Sequence, residues 1–284
     1  MERHCNHIYR SILNYAALCG GTEHGMAKNR TLTLRNTPVC ISPYNAQHIG
    51  KRSEQQDSFM YSDILNREER QRFGAAAVIA DGMGGMENGR LSGKTATEVF
   101  MEIYKKEVDN IPDINKRMIY AAHCANEAVS ALGNAGSTLC AAVIKDWQLH
   151  WLSIGDSRIY LYRNKTLRRL NKEHSYAAAL NEKVLKGEIS LADAVSNPDR
   201  AALTSYLGIP ELKEIDICTE KFPLFCGDSV MLCTDGLYRE LSDEEMAYIL
   251  TNGDETVCEQ LIRAALNKND KFQDNITITL MDID

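Results

Sequence analysis

The chain has 284 residues, 44% of them hydrophobic, with 39 Asp and Glu against 32 Lys and Arg for a net charge of −7. That acidic balance, with basic residues no denser than pairs such as Lys105-Lys106 and Arg168-Arg169, argues against a nucleic-acid partner, whose binding draws on neutralised phosphates. No apolar run approaches the ~20 residues of a membrane helix, and nine scattered cysteines without a Cys-x-x-Cys suit free thiols in a reducing cytoplasm better than a disulfide framework.

Residues 1–40 carry an interrupted apolar stretch, Ile12-Leu13 and Ala16 to Cys19. It lacks the basic start and the small residue before a cleavage point that an export leader needs, and a short helix in an N-terminal extension is expected. From 41 to 284 the absence of repeats and linkers predicts a single catalytic-size domain. Phe73 to Ala80 reads as a buried strand, followed by the glycine-dense loop Asp81-Gly-Met-Gly-Gly85 and a helix with Leu91, Ala96, Val99, Phe100 and Ile103 on one face. A second helix is predicted over 113–132, capped by Asp113, with Ile114, Met118, Ala121, Ala122, Ala125, Val129 and Leu132 as its apolar stripe.

From Ser137 the periodicity becomes that of strands: 137–144, 147–154, 158–162 and 167–170 form an antiparallel meander split by short polar turns. A polar helical stretch follows over 176–195, then strands at 216–222 and 230–233, helices at 243–251 and 254–267, and a closing strand at 276–282. Ser242 and Glu245 have capping-box spacing. Helices grouped apart from antiparallel strands imply an α+β class built in layers, not a doubly wound parallel sheet.

Four aspartates stand where the chain leaves or enters a predicted strand: Asp81, Asp156, Asp235 and Asp274. A lone Asp beside Gly is most often a turn former. Four at strand ends can converge on one rim, where carboxylates repel unless protonated or neutralised by a cation. All-oxygen ligation suits Mg²⁺ or Mn²⁺, whereas Zn²⁺ favours His and Cys.

The ordered motifs Arg52-Ser-Glu-Gln-Gln-Asp57, Asp81-Gly-Met-Gly-Gly85 with Gly89, Gly136-Ser-Thr138, Gly155-Asp-Ser-Arg158, His174-Ser175, Leu203-Thr-x-x-Leu-Gly208, Thr234-Asp-Gly236 and Asp274-Asn275 resemble the metal-dependent type 2C (PPM) family of protein serine/threonine phosphatases, in its bacterial branch. The resemblance covers about residues 45–284. It implies a four-layer α-β-β-α sandwich of two antiparallel sheets with a binuclear Mn²⁺ or Mg²⁺ centre at one edge. By position, Asp81 bridges both ions, Gly82 offers its carbonyl, Asp235 and Asp274 ligate, and Asp57 holds metal-bound water. Asp156 matches a residue that helps hold a weaker third ion with Asp235. Arg52 matches the phosphate clamp, and a hydroxide shared by the ions attacks phosphorus. The implied partners are phosphorylated proteins, opposite a serine/threonine kinase, for a monomeric enzyme with no membrane or nucleic-acid attachment. The segment 175–205 corresponds to the bacterial flap.

Three departures stand out: Gln55 and Gln56 replace the usual Asn and Glu, Glu173 replaces Asp before His174, and Met83 occupies the place of a proposed acid His. A thioether cannot protonate a leaving alkoxide, and His174 is read as structural. Two other phosphate motifs compete. Cys233 to Arg239 fits Cys-x5-Arg, but places Asp235 inside an anion loop; Gly89 to Thr95 nearly forms a Walker loop, but position 88 is Asn. The non-enzymatic alternative is a catalytically weak phosphoprotein-binding module of the same fold, which loss of a metal aspartate would mark. Asp57, Asp81, Asp235 and Asp274 are all present.

Overall fold

The computed structural model describes residues 39–83, 88–200, 202–212 and 214–284. The expected helix of the N-terminal extension lies outside the described residues, as do Gly84 and Gly85.

Eleven strands occur among the described residues: β1 (Ile41–His48), β2 (Asp57–Tyr61), β3 (Ala75–Asp81), β4 (Leu139–Lys145), β5 (Gln148–Ile154), β6 (Arg158–Arg163), β7 (Thr166–Arg169), β8 (Asp216–Ile217), β9 (Phe222–Pro223), β10 (Ser229–Cys233) and β11 (Ile276–Ile283). The helices are α1 (Arg67–Phe73), α2 (Gly89–Lys106), α3 (Ile114–Ser130), α4 (Tyr176–Leu185), α5 (Leu191–Ser196), α6 (Asp235–Tyr238), α7 (Asp243–Asn252) and α8 (Val257–Asn267). One sheet runs β1-β11-β10-β6-β7 and the other β2-β3-β4-β5-β8, with β9 beside β5. The pairings within both are antiparallel.

Strand parity sorts the core into three slabs. Along β3, Ala75, Ala77 and Ile79 face the other sheet, while Ala76, Val78 and Ala80 pack under α2 and α3 with Phe100, Tyr104 and Met118. On β10, Val230 and Leu232 join the slab between the sheets, and Met231 and Cys233 meet Leu261 and Ala265 of α8. Each sheet is therefore covered on both faces, which is why β3 and β4 read as continuous apolar runs instead of alternating ones. The result is the expected α-β-β-α sandwich.

Some expectations need correction. Phe73 ends a helix instead of starting a strand, and Gly74 at φ 84° makes the turn into β3. Leu91 is 47% exposed; the face of α2 that packs is carried by Ala96, Phe100 and Tyr104 at i, i+4 and i+8. The strand expected over 216–222 is two residue pairs, β8 and β9, each on β5. The polar stretch after Ser175 splits into α4 and α5. As expected, Asp113 caps α3 by accepting from Lys116 N, and Ser242 with Glu245 closes a capping box on α7.

Candidate metal centre

Antiparallel pairing brings the acidic residues to one rim. β2 begins and β3 ends there, with Asp57 opposite Asp81 in register. β10 leaves the same rim through Thr234 into α6, whose first residue is Asp235. Asp274 precedes β11, and Ile278 of that strand pairs with Cys233. Asp156 lies in the turn between β5 and β6, reached through Gly155 at φ 98°. A Cβ at Gly155 would come 2.7 Å from the Thr138 side chain, so glycine is needed both for the left-handed backbone and for the space.

Each aspartate is held by a different device. Asp57 is 7% exposed, and its Oδ2 accepts from Thr277 Oγ1 at 2.7 Å and Thr234 Oγ1 at 2.9 Å. Its Oδ1 has no partner among the described residues. Asp81 is fixed by its main chain, N donating to Thr138 Oγ1 and O accepting from Thr138 N and Ser137 Oγ. Beside it, a Cβ on Gly82 would lie 1.9 Å from the Gly89 carbonyl and 2.7 Å from that of Gln56. Only glycine fits this contact between loop and helix.

Asp235 is 6% exposed; its Oδ2 meets Arg239 Nη2 at 2.7 Å, and its Oδ1 has no partner. Asp274 Oδ2 accepts from Arg52 Nη2 at 2.6 Å. Asn275 ties down the segment carrying Arg52, accepting from Gln56 N and donating to the carbonyls of Ile49 and Glu54.

The carboxylates of the rim act on one another electrostatically. Burial pushes Asp57 up to about 7, with the threonine hydroxyls opposing and Asp274 adding to it. Asp235 likewise rises to about 7 from burial, opposed by Arg239 and reinforced by Asp156, Asp274 and Asp57. Asp81 is held well above the ordinary carboxylate range by burial and then by Asp57, Asp235, Asp156 and Asp274. Burying like charges this close is unfavourable until a proton or a cation compensates.

The residues fit a pair of hard divalent ions. The donors are oxygens, and two of them, Asp57 Oδ1 and Asp235 Oδ1, are buried without a partner, each an unmet acceptor costing about 1–3 kcal/mol. Among the described residues no three His, Cys, Asp or Glu side chains close on one point as a finished cage. Mg²⁺ and Mn²⁺ do not require one, because they take one or two carboxylates and complete their shells with water.

The competing motifs find no support. Cys233 is buried in the core under α8, where burial pushes its thiol far up, away from thiolate. Gly89 to Lys94 are the opening turns of α2, not a phosphate loop. His174 Nδ1 accepts from Gly155 N at 3.2 Å and its own N donates to Gly155 O, so it braces the Asp156 turn. Thr277, whose hydroxyl holds Asp57, is not among the site residues expected from the motifs. Its signal was a threonine at the β11 position whose parity matches the inward Met281 and Ile283.

A model of the family described as Protein phosphatase 2C matches residues 45–269. The serine/threonine phosphatase stp of Listeria monocytogenes is 31% identical over 222 residues, 73% of this chain and 84% of that protein. The serine/threonine phosphatase of S. agalactiae superposes with a TM-score of 0.72 at 25% identity, covering 86% of this chain and 100% of that one. The catalytic domain of the phosphatase PstP, solved in complex with 2 manganese ions, superposes with a TM-score of 0.64 at 24% identity, over 87% and 99% of the two chains.

Proposed function

The chain belongs to the protein phosphatase 2C family and is a protein serine/threonine phosphatase; from that premise we propose which of its residues carry the reaction. The observation behind the assignment is the buried aspartate rim with two unpartnered oxygens, Asp57 Oδ1 and Asp235 Oδ1. Asp81, Asp235, Asp274 and the Gly82 carbonyl would hold two Mn²⁺ or Mg²⁺ ions, in keeping with the manganese bound to the structural relative PstP. When bound, such ions acidify water at neutral pH and absorb charge on the phosphoryl oxygens.

Asp57 orients the attacking water through Oδ1, since Oδ2 is fixed by Thr234 and Thr277. Arg52 is half exposed at the rim. Its planar fork suits the substrate phosphate, toward which it would turn by giving up the Asp274 carboxylate. Met83 cannot protonate the leaving alkoxide, and His174 Nδ1 is committed to Gly155. The test is hydrolysis of a phosphothreonine peptide and of p-nitrophenyl phosphate: turnover requires Mn²⁺, stops in EDTA and survives iodoacetamide. Turnover that persists in EDTA and dies with iodoacetamide would return the reaction to Cys233.

We assign the phosphatase domain to 41–284, supported by β1 and β11 pairing from Ile41↔Ile283 to His48↔Ile276, with 1–40 as an extension. The partners are phosphoproteins modified by an opposing serine/threonine kinase. We place it in the cytoplasm on the thiols of Cys40, Cys140, Cys218, Cys226, Cys233 and Cys258, none of which is in a disulfide; no helix of the described residues is long and apolar enough to cross a membrane. A single peak at about 32 kDa in size-exclusion with light scattering would support the monomer.

A further inference from the structure

Arg239 takes no part in the reaction just described, yet its guanidinium lies on two of the rim carboxylates at once. Its Nη2 is 2.7 Å from Asp235 Oδ2 and 3.6 Å from Asp156 Oδ2. Both aspartates are more than nine-tenths buried, at 6% and 9% exposure, and Asp235 Oδ1 still lacks a partner. The residue is carried there by the backbone: Arg239 N donates to Asp235 O at the end of the single turn α6, which sets the side chain back over Asp235 at i, i+4. Its neighbour Tyr238 donates from its hydroxyl to Asp156 O at 3.0 Å. The Tyr238 ring is stacked under the Arg158 guanidinium at 3.5 Å, and Arg158 is anchored by Glu173. The turn holding Asp156 and the turn holding Asp235 are thus clamped together with one fixed cation across them.

We propose that Arg239 is a tethered counter-cation for the Asp156–Asp235 pair, competing with divalent metal there and taking the place of a weakly held third ion. This rests on the reading of the rim as a metal centre. One carboxylate edge cannot accept a guanidinium and ligate an ion at once. A tethered group acts at an effective concentration on the order of millimolar, enough to displace a weakly bound ion. It does not displace ions held by the summed charge of Asp81, Asp235 and Asp274, because Asp235 Oδ1 stays available to them. Arg239 therefore makes the chain selective for the tight ions and insensitive to the weak one.

The test is Mn²⁺ titration of the metal-free full chain, by calorimetry and by the electron paramagnetic resonance signal of free Mn²⁺, on wild type, Arg239→Gln and Arg239→Lys. Arg239→Gln is expected to bind one more Mn²⁺ than wild type, or to bind its weakest one roughly five- to tenfold more tightly. Adding Asp156→Asn removes that gain. Arg239→Lys, which keeps the charge but not the planar fork, falls between the two. Equal stoichiometry and affinity in all three proteins would overturn the proposal while leaving the metal centre intact. Absence of Mn²⁺ binding in wild type and variants alike would overturn the metal centre itself. A raised KM for phosphopeptide in Arg239→Gln, with unchanged Mn²⁺ isotherms, would assign Arg239 to the substrate and also overturn the proposal.

Discussion

Asp235 and Asp57 divide two tasks through how their oxygens are partnered. Asp235 has one oxygen open and one on the Arg239 guanidinium, whereas Asp57 has one oxygen locked by two hydroxyls. Asp235→Asn removes a metal-binding charge and is expected to lower turnover by about 100-fold or more; near-normal turnover with both ions bound would contradict the role. Thr277→Val is milder. It frees the Asp57 carboxylate to rotate and leaves the charge, so a drop of about 10–100-fold in activity or Mn²⁺ affinity is expected, as for residues that orient ligands. Asp57 and Asp235 are both held near 7; Asp235 must lose its proton to meet a cation, and Asp57 must lose its own to accept from the water it orients. Calorimetric Mn²⁺ affinity is therefore expected to rise with pH through about 7, with proton release visible as a dependence on buffer ionisation enthalpy.

At the scale of elements, the strands buried on both faces and the helices α3 and α7 were readable, because long apolar runs and the caps Asp113 and Ser242 are local signals; α1, capped by Asn66, was missed because its seven residues carry no apolar stripe. β1 was not: it is an edge strand with Pro43 inside it and a mostly half-exposed face, so its pattern is weak until β11 pairs with it. α6 was unreadable for a different reason, since a single turn has no periodicity. Asp81, Asp156, Asp235 and Asp274 were legible from their Gly and Asn neighbours, whereas Asp57, between Gln56 and Ser58, was reached only through the family resemblance. Arg52 was named through the resemblance, but its pairing with Asp274, and Arg239 with its pairing to Asp235, were not readable, because these contacts arise only through the shape of the loops. The β5–β6 turn gives a clean test of loop against chemistry. Gly155→Ala meets both a positive φ and the Thr138 side chain, so a loss of about 1–3 kcal/mol is expected in chemical denaturation. Activity at saturating Mn²⁺ should fall less than in Asp235→Asn, because the Asp81 rim is built from other strands.

Over the whole molecule, the net charge of −7 is partly concentrated in five aspartates at one rim, so the stability of the fold and the occupancy of the site are one equilibrium. An ion that binds only the folded chain stabilises it by RT ln(1 + [L]/Kd), about 2.7 kcal/mol at a hundredfold excess over Kd, which for a chain this size raises Tm by roughly 5–10 °C. The dependence on pH has a definite sign. Asp57 and Asp235 near 7 against an unfolded 3.8 mean that the metal-free folded state holds extra protons, whose stabilisation is complete below about 4 and is lost as pH rises through 7. His123, His150 and His174, kept neutral by burial, act oppositely as pH falls below 6.5, so the carboxylates dominate between 6.5 and 8. In EDTA the melting temperature is expected to decline across that window. With excess Mn²⁺ the gap between loaded and metal-free midpoints is expected to widen, because cations take over the negative charge that protons abandon. Paired thermal scans at pH 6.5 and 8 measure this, and a gap that stays constant would mean that the aspartates of the rim do not bind the ion.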